Sequence, residues 1–339
     1  LGFTKPYEKA SWAEKLNYPE ATAVLLNPKD GTVLAMVGGR DAQRSDLNRA
    51  VMARLPGSVF KLFTYGAAAE ANLITPATVV VDAETTFVIP HSAPWTPHNY
   101  ERDFDGEKTI ALSLAQSSNI PATKVAAKIG PEKITGLARR CDITSPLQNS
   151  LSVSIGTNAV RPDELAGAYA MLANGGVWRK SNYFSSISSN GKTLKTATYS
   201  SHRVLSEQDA YVLVSMFLNV IASQWGTGRG IGIDWPLAGK TGTSENYKDS
   251  WFVCFSPEFV LVIRVGFDQP KPMINPRTGK GLTGGGGALK IAKLFLEKIE
   301  NKLQKTDFPK PPYIEERRFD EKTGVEVTEG GIKAAFKTK

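Results

Sequence analysis

Pro56-Gly57-Ser58-Val59-Phe60-Lys61-Leu62-Phe63-Thr64-Tyr65-Gly66-Ala67-Ala68-Ala69 reads as a turn that opens into a long helix. The Pro-Gly pair ends the preceding segment and lets the helix start near Ser58, so the run predicts a helix over 58–72. Ser58 then sits where unpaired backbone N–H groups and the positive end of the helix dipole favour a nearby oxyanion. Lys61, three residues on, lies on the same face. A serine hydroxyl is a poor nucleophile until a base takes its proton. A free lysine, with a pKa of about 10.4, is charged near neutral pH. Lys61 can therefore act as that base only if burial and neighbouring cations or donors lower its pKa, and we expect it to be neutral in the resting protein.

Two further short patterns follow in order, Ser117-Ser118-Asn119 and Lys240-Thr241-Gly242-Thr243. Each alone is weak. Ser-x-x-Lys recurs at 189–192, Ser-x-Asn at 188–190 and 244–246, and Lys-Thr-Gly at 322–324. Context separates the copies. Ser188 to Lys192 is built around Asn190-Gly191, a strong hairpin-turn signal. Lys322-Thr323-Gly324 sits among acidic residues in a polar stretch, whereas Lys240 follows Pro236-Leu237-Ala238-Gly239. A Ser117 hydroxyl can relay a proton to a leaving amine, and the Asn119 amide can hold a substrate peptide group. Lys240 supplies positive charge if the fold brings it close. On a strand, Lys240 and Gly242 face one side and Thr241 and Thr243 the other. The useful groups there are Lys240, the Thr243 backbone N–H and hydroxyl, and Gly242, which lets a ligand approach. The N–H groups of Ser58 and Thr243 would form an oxyanion hole, in which one donor is worth about 3 kcal/mol.

Other chemistries fit poorly. Ala238-Gly239-Lys240-Thr241 lacks the earlier glycine of a phosphate-binding loop, because position 234 is Asp234. The Gly284–Gly287 run reads as a flexible joint. No Gly-x-Ser-x-Gly supports a Ser-His-Asp arrangement. His91, His98 and His202 are too few and too dispersed for a metal site, so no metal and no cofactor is expected. The net charge of +8 is scattered and is no nucleic-acid footprint. Cys141 and Cys254 leave both a bridge and free thiols open.

The chain has 339 residues, 41% hydrophobic and 22% charged, enough for a substantial core. No stretch reaches the roughly 18 apolar residues of a membrane helix. It begins at Leu1, so a fragment or processed product is expected, with any anchor upstream. Residues 1–20 read as a linker. Ala21–Leu26 and Thr32–Val37 flank Asn27-Pro28-Lys29-Asp30-Gly31 and read as a hairpin. Helical patterns occupy 109–116, 121–129, 131–140, 162–174, 206–222 and 288–303, and 183–200 is strand-like. Trp251–Phe255 and Phe259–Ile263 are near-continuous apolar runs that suit central strands covered on both faces. Residues 305–339 hold Pro309, Pro311, Pro312 and many charges, and read as an exposed polar tail with at most local structure. Strands at both ends and helices between them predict an α+β fold. Its antiparallel sheet comes from both termini and is packed by helices, with a mostly helical insert.

Over residues 21–304 the chain resembles the transpeptidase domain of class A penicillin-binding proteins. The resemblance rests on Leu26-Asn27-Pro28-Lys29-Asp30-Gly31-Thr32-Val33-Leu34-Ala35-Met36-Val37-Gly38-Gly39, Asn48-Arg49-Ala50 and Gly57-Ser58-Val59-Phe60-Lys61. It continues through Ser117-Ser118-Asn119-Ile120-Pro121-Ala122, Ala170-Met171-Leu172-Ala173-Asn174-Gly175-Gly176, Gly239-Lys240-Thr241-Gly242-Thr243, Asp249-Ser250-Trp251-Phe252 and Val265-Gly266-Phe267-Asp268. The set Ser-x-x-Lys, Ser-x-Asn, Lys-Thr-Gly is shared with β-lactamases. The resemblance implies a β-lactamase-like fold, with a five-stranded antiparallel sheet sandwiched by helices and a helical subdomain. It implies acylation of Ser58 by the D-Ala-D-Ala end of a peptidoglycan stem peptide, then transfer to a neighbouring stem, with β-lactams acylating the same serine. Carried over by motif, Ser58 is the nucleophile, Lys61 the base and Ser117 the relay. Asn119, Lys240, Thr241, Gly242 and Thr243 bind substrate. An upstream glycosyltransferase domain, a membrane anchor and an extracytoplasmic location at the bacterial inner membrane are implied for the longer protein. A D,D-carboxypeptidase, a serine β-lactamase and a non-turnover β-lactam sensor are alternatives on the same fold.

Overall fold

The computed structural model describes residues 5–15, 17–89 and 93–338. His91 lies outside the described residues. After α1 (Trp12–Lys15) come β1 (Glu20–Leu26) and β2 (Val33–Val37), the expected antiparallel hairpin. Asp30 closes its turn by accepting from Thr32 N at 2.8 Å. A helical insert follows: α2 (Lys61–Glu70), the ribbon β3 (Val79–Asp82) and β4 (Gly106–Thr109), then α3 (Ile110–Gln116), α4 (Asn119–Ile129), α5 (Pro131–Arg140) and α6 (Pro162–Ala173). Two small ribbons come next, formed from β5 (Val177–Arg179), β6 (Ser186–Ser189), β7 (Lys192–Thr196) and β8 (Ser201–Arg203). The chain goes on through α7 (Glu207–Ala222), β9 (Ala238–Thr243), β10 (Asp249–Phe255), β11 (Val260–Gly266), α8 (Ala288–Ile299), β12 (Ile314–Phe319) and β13 (Ile332–Lys337).

The main sheet has five strands in the order β2-β1-β11-β10-β9, and each pair is antiparallel. Strands from both ends of the chain therefore meet at its centre. Every residue of β10 and β11 is buried, as their unbroken apolar runs required. Alternation divides them between two cores. Trp251, Val253 and Phe255 join the core with α2, α6 and α7, while Phe252 and Cys254 face Leu289, Ala292 and Leu296 of α8. Cys141 and Cys254 are both free and buried. The Ser188–Lys192 copy of the first motif lies in the exposed β6–β7 hairpin, as its Asn-Gly dictated.

Residues 305–339 depart from the expected tail. β12 and β13 pair in full register, and Ile314, Phe319, Ile332, Ala334 and Ala335 are buried. The hairpin lies on α7, where Ala335 N donates to Ser215 Oγ at 2.9 Å and Lys337 Nζ to Asp209 Oδ1 at 2.7 Å. Glu321 in its connection also accepts Thr109 N at 2.9 Å, just ahead of α3. The charges fill the middle of β12, between the buried Ile314 and Phe319 at its ends, and flank the buried Ala334 and Ala335 in β13, so the few apolar residues are easily overlooked. Phe319 is 1% exposed, so Phe319→Ala is expected to cost about 3–5 kcal/mol in urea unfolding. An exposed tail would lose less than about 0.5 kcal/mol.

Candidate active site

The serine turn is placed by close backbone packing. Gly57–Phe60 is a short 3-10 turn that leads into α2, so Lys61 opens the α-helix proper. Gly57 has φ +52°, and a Cβ there would lie 2.5 Å from the Thr243 carbonyl oxygen. Only glycine lets the Ser58 turn press on the end of β9. Two buried aromatic residues hold its flanks, with Trp251 Nε1 donating to Leu55 O at 2.8 Å and Tyr169 OH to Val59 O at 2.7 Å. The Ser58 N–H lies in the first turn, where no intrahelical acceptor exists.

β9 is the open edge of the sheet. Ser244 N donates to Asp249 O at 3.0 Å, and the register runs from there through Gly242–Trp251 and Lys240–Val253. Those pairs exchange the ladder bonds, so the N–H groups of Thr241 and Thr243 point off the edge. The Thr243 N–H is thus free beside Ser58, as an oxyanion hole requires. Side chains alternate as expected. Lys240 reaches Ser117 Oγ at 2.7 Å, and Gly242 packs under Val59. On the other face, Thr241 Oγ1 bonds Thr227 Oγ1 at 2.7 Å and Thr243 Oγ1 accepts Gly284 N at 3.0 Å. The Gly284–Gly287 run is therefore no loose joint. A Cβ on Gly284 would lie 2.4 Å from Trp251 O and 2.6 Å from Gly242 O, so its glycine is set by this packing.

The Ser117–Asn119 segment is the third wall. α3 ends with Ser117 in the left-handed region, at φ 66° and ψ 30°. Ser118 N donates to Ser113 O at 2.9 Å and Ser117 N to Leu114 O at 3.1 Å, the Schellman pattern with serine where glycine is usual. Such a conformation is costly for a non-glycine residue and persists only where its surroundings enforce it. Here Lys61 enforces it, donating to Ser117 O at 2.7 Å, Ser118 O at 2.9 Å and Asn119 Oδ1 at 2.8 Å. Lys240 holds the Ser117 hydroxyl from the opposite side.

All three motifs are thereby joined through two fully buried lysines. Lys61 bonds the Ser117–Asn119 segment and makes no hydrogen bond to Ser58. Burial first, then the charge of Lys240, push the Lys61 pKa well below its usual range, while Asp82 pulls the other way. Its three acceptors also favour the protonated form. Burial alone lowers Lys240 to about 7. Because Lys240 donates to Ser117 Oγ, the hydroxyl proton of Ser117 is left to be passed on.

Several groups behind these walls carry no sequence signal. Lys108, 1% exposed, forms an ion pair with Asp82 at 3.0 Å and donates to Gln116 Oε1 at 2.9 Å and Ser118 Oγ at 3.0 Å. Thr227 steadies Thr241, and Asn99 meets the start of α4. They stand outside the three motifs, and only the fold shows that they belong to the site.

Residues 21–284 match the family model described as the penicillin binding protein transpeptidase domain. The chain belongs to this family of penicillin-binding transpeptidase domains. It is 34% identical over 284 residues to penicillin-binding protein 1A of Neisseria meningitidis serogroup A, covering 80% of this chain and 34% of that protein. To penicillin-binding protein 1A of Rickettsia typhi it is 31% identical over 343 residues, covering 93% and 42%. The penicillin-binding transpeptidase chain thus spans between a third and just over two fifths of the length of these relatives. The crystal structure of penicillin-binding protein 1A from Haemophilus influenzae superposes with a TM-score of 0.85 at 25% identity, over 94% of this chain and 53% of that one. PonA1 of Mycobacterium tuberculosis, solved with penicillin V, gives 0.76 at 22% identity, over 96% and 88%, a likeness of fold.

Proposed function

We propose that this chain is a serine D,D-transpeptidase that cross-links peptidoglycan stem peptides through an acyl-enzyme at Ser58. The observation that carries the reading is the joining of the three motifs, with the Ser58 turn against the edge of β9 and Lys240 and Lys61 holding the Ser117–Asn119 segment from two sides. In this reading Lys61 takes the Ser58 proton as Oγ attacks the carbonyl of the penultimate D-alanine. The oxyanion lies between the N–H groups of Ser58 and Thr243. The amide C–N bond breaks, and a proton relayed through Ser117 leaves with the terminal D-alanine. An amine of a neighbouring stem then attacks the ester and returns the proton. Asn119 holds the donor peptide, and Lys240, Thr241, Gly242 and Thr243 hold its carboxylate end.

β-Lactams would acylate the same serine. Three buried carboxylates of the insert are already engaged. Glu164 accepts from the backbone and hydroxyl groups of Thr144 and Ser145, Asp82 is held by Lys108 and Asn99, and Asp163 accepts from Arg161 Nε and Tyr183 OH, each at 2.9 Å. None of the three is left as a base for water, which favours a persistent acyl-enzyme over a β-lactamase. In the longer protein the chain would follow a glycosyltransferase domain and a membrane anchor, facing the extracytoplasmic side of the bacterial inner membrane. Among the described residues no helix is long and apolar enough to cross a membrane. Residues 1–20 would be the link and 21–304 the catalytic unit. Incubation with a D-Ala-D-Ala stem-peptide mimic and a D-amino acid acceptor tests the reading. Acceptor-dependent exchange product is expected, whereas hydrolysis alone would move the assignment to a carboxypeptidase.

A further inference from the structure

Asn99 stands behind the Ser117–Asn119 segment, in the loop between β3 and β4. Its Oδ1 accepts Asn119 N at 2.8 Å and Ile120 N at 3.3 Å, the first N–H groups of α4, which have no acceptor within the helix. Its Nδ2 donates to both carboxylate oxygens of Asp82, at 2.8 and 3.0 Å, and to Asp103 O at 3.0 Å. Asp82 is 1% exposed and paired with the buried Lys108. An ionised carboxylate only accepts, so Asp82 dictates which end of the Asn99 amide faces α4. The preceding residue in the loop also touches the site, since His98 O accepts Asn119 Nδ2 at 2.9 Å. That bond turns Asn119 Oδ1 toward Lys61 Nζ, 2.8 Å away.

We propose that Asn99, oriented by the buried Asp82, is a positioning residue for acylation: it fixes Asn119 and, through Asn119, the Nζ of Lys61. The inference rests on the transpeptidase reading above and adds to it a residue outside the three motifs. Asn99 touches no reacting atom. Its effect falls on the rate of the chemical step more than on ligand affinity.

Asn99→Asp is the sharpest test. It sets two carboxyl groups at hydrogen-bond distance, so one of them keeps its proton well above the usual carboxylate range. With one proton shared, the new acid donates to Asp82 and its carbonyl accepts Asn119 N, as in the wild type. Once that proton is lost the two repel. The groups facing this pair are Lys108 and Asp105 from the β4 side, Lys61 and Tyr65 from α2, and Lys124, which bonds Val81 O from α4. The second-order rate constant for labelling by a fluorescent penicillin is measured from pH 5 to 9 for wild type, N99D, D82N and D82N/N99D. Relative to wild type at the same pH, N99D is expected to lose at least about tenfold as pH rises across this range. The double variant restores one amide donor and one carboxylate, so it is expected to return to within about threefold of wild type with no such pH dependence. A pH profile for N99D parallel to wild type, or a double variant no faster than N99D at high pH, overturns the proposal. Should N99D not fold, Asn99→Ala serves, with the limiting acylation rate expected to fall at least about tenfold at unchanged penicillin affinity. A limiting rate within twofold of wild type overturns it. Wild type that is not labelled at Ser58 would instead sink the transpeptidase reading itself.

Discussion

Ser58→Ala is expected to abolish labelling by penicillin while leaving the fold intact. The residue is half-buried at the start of the nucleophile turn, and that turn is fixed by Gly57, Trp251 and Tyr169, not by the hydroxyl. Removing Oγ therefore removes the bond-forming atom and little else. Loss of a nucleophile of this kind lowers turnover by roughly 10⁴-fold or more. Stopped-flow labelling of the variant beside wild type checks this, with circular dichroism as the fold control. Residual labelling within about a hundredfold of wild type would mean that another group attacks.

Lys61→Met is expected to slow acylation about 10³-fold, the middle of the range for a positioned general base. Only the neutral amine can accept the Ser58 proton. Burial and Lys240 hold the Lys61 pKa well below the usual lysine range, so the wild-type rate should climb with pH along a limb placed below that range. The limb should vanish in the variant. The same shift has a consequence for stability. A lysine whose folded pKa is lowered binds fewer protons folded than unfolded between the two values, so unfolding free energy rises with pH across that window. For Lys240 the window opens at about 7. Methionine carries no such cost. The stability of Lys61→Met relative to wild type should therefore be most favourable at low pH and should decline as pH rises. Urea unfolding at pH 6 and pH 9 checks the sign, and an unchanged difference would show that Lys61 is not held below its usual range.

Much of this architecture was legible in the sequence because the deciding signals are local. Asn27–Gly31 marks a turn, Pro56-Gly57 a helix start, and the apolar runs around Trp251 and Leu261 the two strands buried on both faces. The three motifs converge as their order implied. What escaped reading is non-local or sparse. Asp82, Asn99 and Lys108 are ordinary polar residues until β3 and β4 pair and carry them behind Ser118 and Asn119. The left-handed Ser117 follows a helix without the glycine that normally announces such an ending. Gly284 resembles a flexible spacer, and only its closeness to Gly242 and Trp251 shows why a side chain is excluded. The β12–β13 hairpin hides behind its charges, because only Ile314, Phe319, Ile332, Ala334 and Ala335 are buried in it and they follow no simple alternation.

The central claim is that Ser58 forms an acyl-enzyme that water does not readily clear. The most direct measurement is the intact mass of the protein over several hours with benzylpenicillin, followed by peptide mapping. The account predicts a single penicilloyl adduct that persists and maps to the peptide carrying Ser58. A transient adduct with accumulating hydrolysed drug would contradict it in favour of a β-lactamase, and no adduct, or one on another residue, would contradict the nucleophile assignment.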